Sequence, residues 1–159
     1  MPEKVSISST SLVCSSVNIV GEVTIGPGCV IQPKASIIAE GGPINIGSNN
    51  IISEQVTICN KKVSGKVMNI GNGNVFESRS SIECMGIGHN NVIQTAASVI
   101  GSFELGNNCV IGVRNRVNHD IEDGTVVFGD NDSKRARKDD IQTHVSTLNT
   151  HLEYLRDLL

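Results

Sequence analysis

The chain has very few aromatic residues. Only 3% of its 159 residues are Phe, Trp or Tyr, and Trp is absent. Aromatic rings supply much of the bulk of an ordinary globular core. A core without them must close on aliphatic side chains and glycine, which favours thin, regular layers of small residues.

Two kinds of apolar segment are also missing. The sequence has no charged-then-apolar amino-terminal segment and no apolar run near 18 residues. These absences argue against secretion and against direct membrane insertion. The net charge of −3 excludes a global basic field that would attract nucleic acid.

The cysteines lack the spacing of a metal or redox motif. There are 5 of them, with no C-x-x-C pair and no Cys/His cluster. An odd number of widely scattered cysteines favours buried, reduced thiols in a cytoplasmic protein over a disulfide framework.

What the sequence does contain is an apolar residue at every sixth position. The series runs through Ile7, Val13, Ile19, Ile25, Ile31 and Ile37, then Ile46, Ile52 and Ile58, then Ile70, Phe76 and Ile82, and finally Ile87, Ile93, Val99, Leu105, Ile111 and Val117. A helix would give a period of about 3.6 and a long strand a period of 2. A period of six predicts short strands separated by bends, with three strands and about 18 residues in each coil of a repeating structure.

The repeat has a finer pattern within each hexad. Glycine often follows the apolar residue, and a small residue or Asn stands four positions after it. Stacked coils would place like residues above one another, so Asn50, Asn74, Asn91 and Asn115 are predicted to form a ladder of side-chain amides. These residues are equally compatible with turns in the left-handed conformation.

Two interruptions of the period predict loops. Between Ile37 and Ile46, Glu40-Gly41-Gly42-Pro43 has the composition of a turn. Between Ile58 and Ile70, Ser64 occupies an apolar position among lysines, which predicts a hexad looped out over residues 60–69.

The period changes near the carboxyl end. We predict a β-helix over residues 1–129, a charged linker over 130–138, and an amphipathic α-helix over 139–159 that docks on the β-helix. Asp139 or Asp140 is the expected N-cap. The expected apolar stripe of this helix consists of Ile141, Val145, Leu148, Leu152, Leu155 and Leu159. The alternative is that this stripe is offered to another protein.

Candidate catalytic residues are few. Acyltransferases with hexapeptide repeats use a His base between subunits, and γ-class carbonic anhydrases bind a metal through three His on adjacent coils. Here His89 and His119 are not separated by a whole number of coils, and His144 and His151 lie on the terminal helix. Because Cys29 and Cys109 occupy the small interior position of the repeat, they are expected to be inert. We predict no catalytic residue, no metal site and no cofactor, with these two enzyme classes as the alternative.

The sequence resembles the β-helix subunits of dynactin's pointed-end complex. The resemblance is carried by residues 21–47 and 50–54, by 70–77 and 88–93, and by the closing segment 121–129. The segment from Ile31-Gln-Pro-Lys-Ala through Ala39-Glu-Gly-Gly-Pro43 is the most specific part. It implies an all-β, left-handed parallel β-helix with a carboxy-terminal helix, although parallel crossovers are usually right-handed.

The resemblance also implies a function. Such subunits are non-catalytic scaffolds of the cytoplasm and cytoskeleton that support dynein cargo targeting. The implied partners are a sister β-helix, dynactin subunit 5, and further pointed-end subunits, namely the actin-related protein and dynactin subunit 4.

An open β-helix leaves unpaired strand edges on its end coils, and these edges must be covered. The first coil is therefore a candidate docking surface. The predicted interaction residues are Val5, Ile7, Leu12 and Val13 on this coil, and Leu148, Leu152 and Leu155 on the terminal helix.

Overall fold

The chain folds into a three-sided parallel β-solenoid of about 7 coils with one helix against it. The computed structural model describes residues 4–61 and 65–159. Each of the first six coils contributes one short strand segment to each of three faces, and the chain bends at the corners between them. Side chains alternate between the interior and the outside along each strand, so the residues at six-residue spacing point inward and form the core.

The first and third faces belong to one sheet and the second face to another. Strands β3 (Asn18–Ile25) and β5 (Ser36–Ile46) turn a corner, so each supplies the third face of one coil and the first face of the next. The other first-face strands are β1 (Val5–Ile7), β8 (Met68–Ile70), β11 (Gly86–Ile87) and β14 (Glu104–Leu105). The other third-face strands are β7 (Thr57–Cys59), β10 (Ser81–Glu83), β13 (Ser98–Ile100) and β16 (Arg116–Val117).

The second face is the more regular. It consists of β2 (Leu12–Val13), β4 (Val30–Ile31), β6 (Ile51–Ile52), β9 (Val75–Phe76), β12 (Val92–Ile93), β15 (Val110–Ile111) and β17 (Thr125–Phe128), all parallel. A final strand, β18 (Ser133–Ala136), pairs antiparallel with β17. The segment predicted as a charged linker thus contains a strand, although its side chains are exposed as expected.

Coil stacking puts like residues in register. Ile25 stands beside Ile46, Ile46 beside Ile70, and Ile70 one coil from Ile87. Together with Phe76, Met68 and small residues such as Ala35, these side chains form one continuous buried core. Few rings are needed, because each layer is only one coil thick.

The turn predicted at residues 40–43 is wrong. Strand β5 runs through this segment without a break, and the register of β5 against β3 shifts between Gly21 and Val23. The glycine there serves close packing, since a Cβ on Gly42 would collide with the backbone at Lys66. The predicted loop at 60–69 includes residues 62–64, which lie outside the described residues. At its edges, the Asn60 side-chain amide donates to the carbonyls of Pro43 (3.2 Å) and Lys66 (2.9 Å).

Helix α1 spans Ile141–Leu158, with Asp140 as its N-cap. The Asp140 carboxylate accepts a hydrogen bond from the backbone N–H of Thr143 at 2.8 Å. This hydrogen bond lowers the pKa of the Asp140 carboxyl, because it favours the charged form. Among the described residues, no helix is long and apolar enough to span a membrane.

Candidate interaction surfaces

An apolar row on the second face is where the helix docks. Its outward positions are apolar in every coil: Leu12, Val30, Ile51, Val75, Val92, Val110 and Val126. Leu148, Leu152 and Leu155 of α1 pack against Val30 and Ile51, which are fully buried. Burying apolar surface in this way stabilises the docked helix by about 25 cal/mol for each Å² removed from water.

The buried face of the helix differs from the predicted stripe. The buried residues are His144, Leu148, Leu152 and Leu155, whereas Ile141, Val145 and Leu159 are exposed. His144 was not among the residues of the predicted stripe. The helix is rotated toward His144 because the imidazole finds hydrogen-bond partners on the solenoid.

A polar cluster fixes the amino-terminal end of the helix. His144 Nε2 lies 2.7 Å from the carbonyl oxygen of Gly73, and its Nδ1 lies 3.1 Å from Nη2 of Arg137. Because guanidinium only donates, Nδ1 accepts and Nε2 carries the proton. Arg137 also donates to the Asn90 carbonyl at 3.0 Å and binds the Asp139 carboxylate through two bonds of 2.7 and 2.9 Å.

This cluster joins the helix, the segment after β18 and two coils of the solenoid. Only 8% of the Arg137 side chain is exposed, so its charge requires the Asp139 partner. The Arg137 guanidinium lowers the pKa of the Asp139 carboxyl by hydrogen bonding. In the sequence Arg137 is one residue of the predicted charged linker over 130–138, and nothing in the spacing distinguishes it from its exposed neighbours.

The predicted asparagine ladder exists, with one member misplaced. Asn50 Oδ1 accepts from the Asn74 backbone N–H, and Asn74 Oδ1 accepts from that of Asn91, both at 2.9 Å. Asn91 Oδ1 then accepts from the Cys109 N–H at 2.8 Å. Asn115 lies at a different corner, where its amide donates to Asp132 Oδ1 and to the Gly129 carbonyl, both at 2.7 Å.

A second ladder, which the sequence analysis missed, runs along the outside of the same corner. In the fourth to seventh coils, the side chain two positions after the apolar residue accepts from the backbone N–H of its counterpart in the coil before. The four acceptors are Asn72, His89, Asn107 and Asp123. His89 Nδ1 accepts from the Asn72 N–H at 2.8 Å, which gives this exposed imidazole a structural role.

The candidate catalytic groups are not assembled. His119 Nδ1 lies 2.9 Å from Asn118 Oδ1, and no bond joins its ring to Asp120 among the described residues. Cys29 and Cys109 are fully buried, and burial raises the pKa of both thiols, which disfavours the nucleophilic thiolate. Within residues 4–61 and 65–159, no group of three His, Cys, Asp or Glu side chains is placed to hold a metal ion.

The seven predicted interaction residues fall into two sets. Val5 and Ile7 are 39% and 41% exposed on β1, and Leu12 and Val13 are half-buried on β2. These four residues form the first-coil end. Leu148, Leu152 and Leu155 are buried against the solenoid of the same chain, so they do not form an accessible surface.

The first-coil end is an open end of the solenoid. Strands β1 and β2 each pair with a neighbour on one side only among the described strands. The first coil also contains Val17 and Ile19, which, like Val13, are only partly buried against the core. Exposed apolar side chains and strand edges without a described neighbour are both unfavourable in water, and both are typical of a protein interface.

Comparison with known proteins places the fold in the hexapeptide-repeat class of left-handed β-helices. A hexapeptide transferase family protein from Anaplasma phagocytophilum matches 98% of this chain and 93% of its own length at a TM-score of 0.73, with 15% sequence identity. A UDP-N-acetylglucosamine acyltransferase from Bacteroides fragilis matches 94% of this chain and 73% of its own length at a TM-score of 0.61, with 17% identity. These identities establish the fold alone, and the predicted fold class is confirmed.

Sequence relatives identify the family. Dynactin subunit 6 of Nematostella vectensis is 42% identical over 147 residues, covering 86% of this chain and 80% of the relative. Dynactin subunit 6 of Dictyostelium discoideum is 37% identical over 161 residues, covering 94% and 81%. No protein-family model matches the chain. The chain belongs to the dynactin subunit 6 family, which confirms the resemblance found in the sequence.

Proposed function

We propose that this chain is a non-catalytic scaffold subunit of dynactin that pairs with a second β-helix through its first-coil end. The observation that carries the proposal is the contrast between exposed Val5 and Ile7 on an unpaired edge strand and the buried core directly behind them. The sister subunit, dynactin subunit 5, is the proposed occupant. Its end coil would continue the strand pairing and cover the apolar side chains.

The remaining parts of the proposal follow from membership of the family. The chain acts in the cytoplasm, on the cytoskeleton, within the pointed-end complex that also contains the actin-related protein and dynactin subunit 4. It supports dynein cargo targeting and uses neither nucleic acid nor membrane insertion. The scattered histidines and the buried thiols support a role without catalysis.

Co-purification with dynactin subunit 5 tests the pairing. The double variant Val5→Glu/Ile7→Glu places charge on the first-coil end at two exposed positions, so the fold is retained. We expect loss of binding by about 100-fold or more, since burying unpaired charge in an interface costs several kcal/mol. The control is Lys134→Glu/Arg135→Glu on exposed β18 at the other end, which should bind like the wild type.

Equal binding by the wild type and the Val5/Ile7 variant would contradict the proposed surface. Failure of the wild type to recover any dynactin component from cells would contradict the scaffold role itself. The enzyme alternative has its own test on the purified chain. Stoichiometric zinc, or acyl-coenzyme A binding that depends on His119, would favour a metalloenzyme or a transferase.

A further inference from the structure

Two corners of the solenoid share one backbone conformation. At the first corner, between the first and second faces, one residue in each of the second to seventh coils has φ between 56° and 74°: Gly28, Asn49, Gly73, Asn90, Asn108 and Gly124. At the second corner, between the second and third faces, φ lies between 50° and 64° at Lys34, Gln55, Arg79, Ala96, Arg114 and Asp132. Both sets are in the left-handed region.

The hydrogen bonding at the two corners is also the same. At the first corner, the N–H of Asn90 donates to the Asn72 carbonyl of the coil before at 3.0 Å. At the second corner, the N–H of Arg79 donates to the Glu54 carbonyl at 3.1 Å, and that of Arg114 to the Thr95 carbonyl at 3.0 Å. The backbone therefore places the same demand on both corners.

The residues that meet this demand differ. The first corner uses only Gly and Asn, the two residue types that adopt the left-handed region most readily. The second corner uses Lys, Gln, Arg and Ala at five of its six positions, where the same conformation is unfavourable, and Asp132, which tolerates it, at the last. Non-Gly residues held in left-handed conformations concentrate at functional sites. The first corner shows that Gly and Asn satisfy this backbone conformation. The different residue types at the second corner must therefore be explained by their side chains.

These side chains form an exposed cationic edge, which we define as Lys34, Arg79 and Arg114. All three are exposed. The ion pairs among the described residues are Lys61–Glu83 and Arg137–Asp139, so none of the three cations is neutralised within the described chain. Val113, 57% exposed, adds an apolar contact beside Arg114.

The spacing of the cationic edge is regular. Lys34, Arg79 and Arg114 belong to the second, fourth and sixth coils, and the residues between them are Gln55 and Ala96. With about 4.8 Å between coils, the cations stand about 9.6 Å apart along the solenoid axis. An α-helix presents every seventh residue on one face at intervals of about 10.5 Å. The flexible stems of Lys and Arg can absorb the difference of about 1 Å per step.

We propose that the cationic edge docks an α-helix of a partner protein that carries acidic side chains at heptad spacing. An extended segment fits less well, since its side chains return to the same face about every 6.8 Å. A nucleic acid fits less well too, because the chain has a net charge of −3 and the edge offers only three cations. This inference does not rest on the pairing proposed for the first-coil end.

Acidic residues near the cationic edge do not neutralise its positive charge. Glu54 is exposed beside Gln55 and has no ion pair with Lys34 or Arg79 among the described residues. Glu77 Oε1 is occupied by the backbone and side chain of Thr95, at 3.3 Å each. Asp132 ends the row and accepts from Asn115 and from the Arg116 N–H. The three cations therefore remain available to an acidic partner, since no described acidic group pairs with them.

A designed peptide tests the proposal on the purified full chain. The probe is a stapled helix with glutamate at every seventh position. One control peptide has Gln at those positions, and another has the same number of glutamates at every fifth position, which spreads them round the helix. We expect the first peptide to bind at least about tenfold more tightly than either control at low salt, with an affinity that falls as salt rises.

Protein variants assign the binding to the edge. Lys34→Gln/Arg79→Gln/Arg114→Gln should weaken peptide binding by about tenfold. The control Lys4→Gln/Lys66→Gln/Lys138→Gln removes the same charge from exposed positions elsewhere and should change it by less than about twofold. The variant Lys34→Asn/Arg79→Asn/Arg114→Asn should bind as weakly as the Gln variant, yet raise the midpoint of thermal unfolding by about 2 °C or more.

Several results would overturn the proposal. These are no binding of the heptad peptide by the wild type, equal binding of the every-fifth peptide, or equal losses in the edge variant and the control variant. Tighter, edge-dependent binding of duplex DNA would assign the edge to nucleic acid instead. An Asn variant that melts below the wild type would show that the left-handed residues carry no strain.

Discussion

The two ends of the solenoid are finished in different ways. At the last coil, Asp123 and Asp132 accept from the backbone N–H groups of Asn107 and Arg116, and β18 adds a charged strand to the second face. At the first coil, no described strand pairs with the outer side of β1 or β2, and apolar side chains stand in their place. One end is completed by the chain's own polar groups, whereas the other exposes apolar side chains beside strand edges that no described strand covers.

This difference shows what a repeat does not encode. The six-residue period predicts the same strands in coil after coil up to Val117, and it does not predict how either end is completed. The fate of each end depends on the residues that break the period. Polar residues after Val117 supply the acceptors at the last coil, and apolar residues continue to the outer edge of the first.

The largest expected effect on stability lies in the middle coils, and the effects at the two ends are compared with it. Asn74 is fully buried and bonds to Asn50, to Asn91 and to the Gly88 carbonyl. Replacing it in Asn74→Ala leaves buried donors and acceptors without partners. We expect a loss of about 3 kcal/mol in the free energy of unfolding, measured by urea titration. A loss below about 1 kcal/mol would contradict the structural weight given to the ladder.

The same column at the first-coil end should matter less. Ser11 takes the position of the asparagines there, donating to the Gly26 carbonyl at 2.5 Å and accepting from the Cys29 N–H at 2.9 Å. Because Ser11 is only half-buried, water can replace its hydroxyl. Ser11→Ala should cost about 1 kcal/mol in the same titration. If dynactin subunit 5 covers this end, Ser11→Ala should also make the complex between the two subunits dissociate faster.

The smallest effect is expected at the last-coil end and depends on pH. Hydrogen bonds from the Asn115 side chain and from the Arg116 N–H lower the pKa of the Asp132 carboxyl. A lowered pKa in the folded state contributes stability that is present above the ordinary carboxyl pKa of about 3.9 and is lost as pH falls through the folded value. Asp132→Asn should therefore melt slightly below the wild type at neutral pH, and the two curves should converge as pH falls through the lowered pKa of Asp132.

Thermal unfolding from pH 7 to pH 2 checks this prediction. Asp130→Asn, two residues away on the same exposed turn, is the matched control. A constant difference between the wild type and Asp132→Asn over the whole range would show that the carboxylate charge is not what stabilises this end.

The strands, the core and the ladder could be predicted from sequence because each coil repeats the same local rule. Positions such as Ile31 and Ile52 are buried in the inner coils, where the same position is repeated in the coil on either side. The cluster of Arg137, Asp139 and His144 could not be predicted, since it joins segments far apart in the chain through distances that no period records. Asn115 was misassigned for a related reason, because the hexad rule does not distinguish the two corners.

The interaction residues were predicted only in part. An exposed strand edge follows from the position of Val5 and Ile7 at the start of the repeat. The sequence predicted a docked helix and yet also assigned the leucines of α1 to an interaction surface, and only the apolar row on the second face shows what they cover. An apolar stripe on a helix predicts that its residues are buried, but it does not identify the surface that covers them.

Hydrogen exchange of the purified chain, with and without dynactin subunit 5, tests the central claim most directly. We predict that binding slows exchange at backbone amides of the first coil, from Val5 to Val13, and leaves β17 and β18 unchanged. Protection confined to β17 and β18, or binding without added protection at the first coil, would contradict the account.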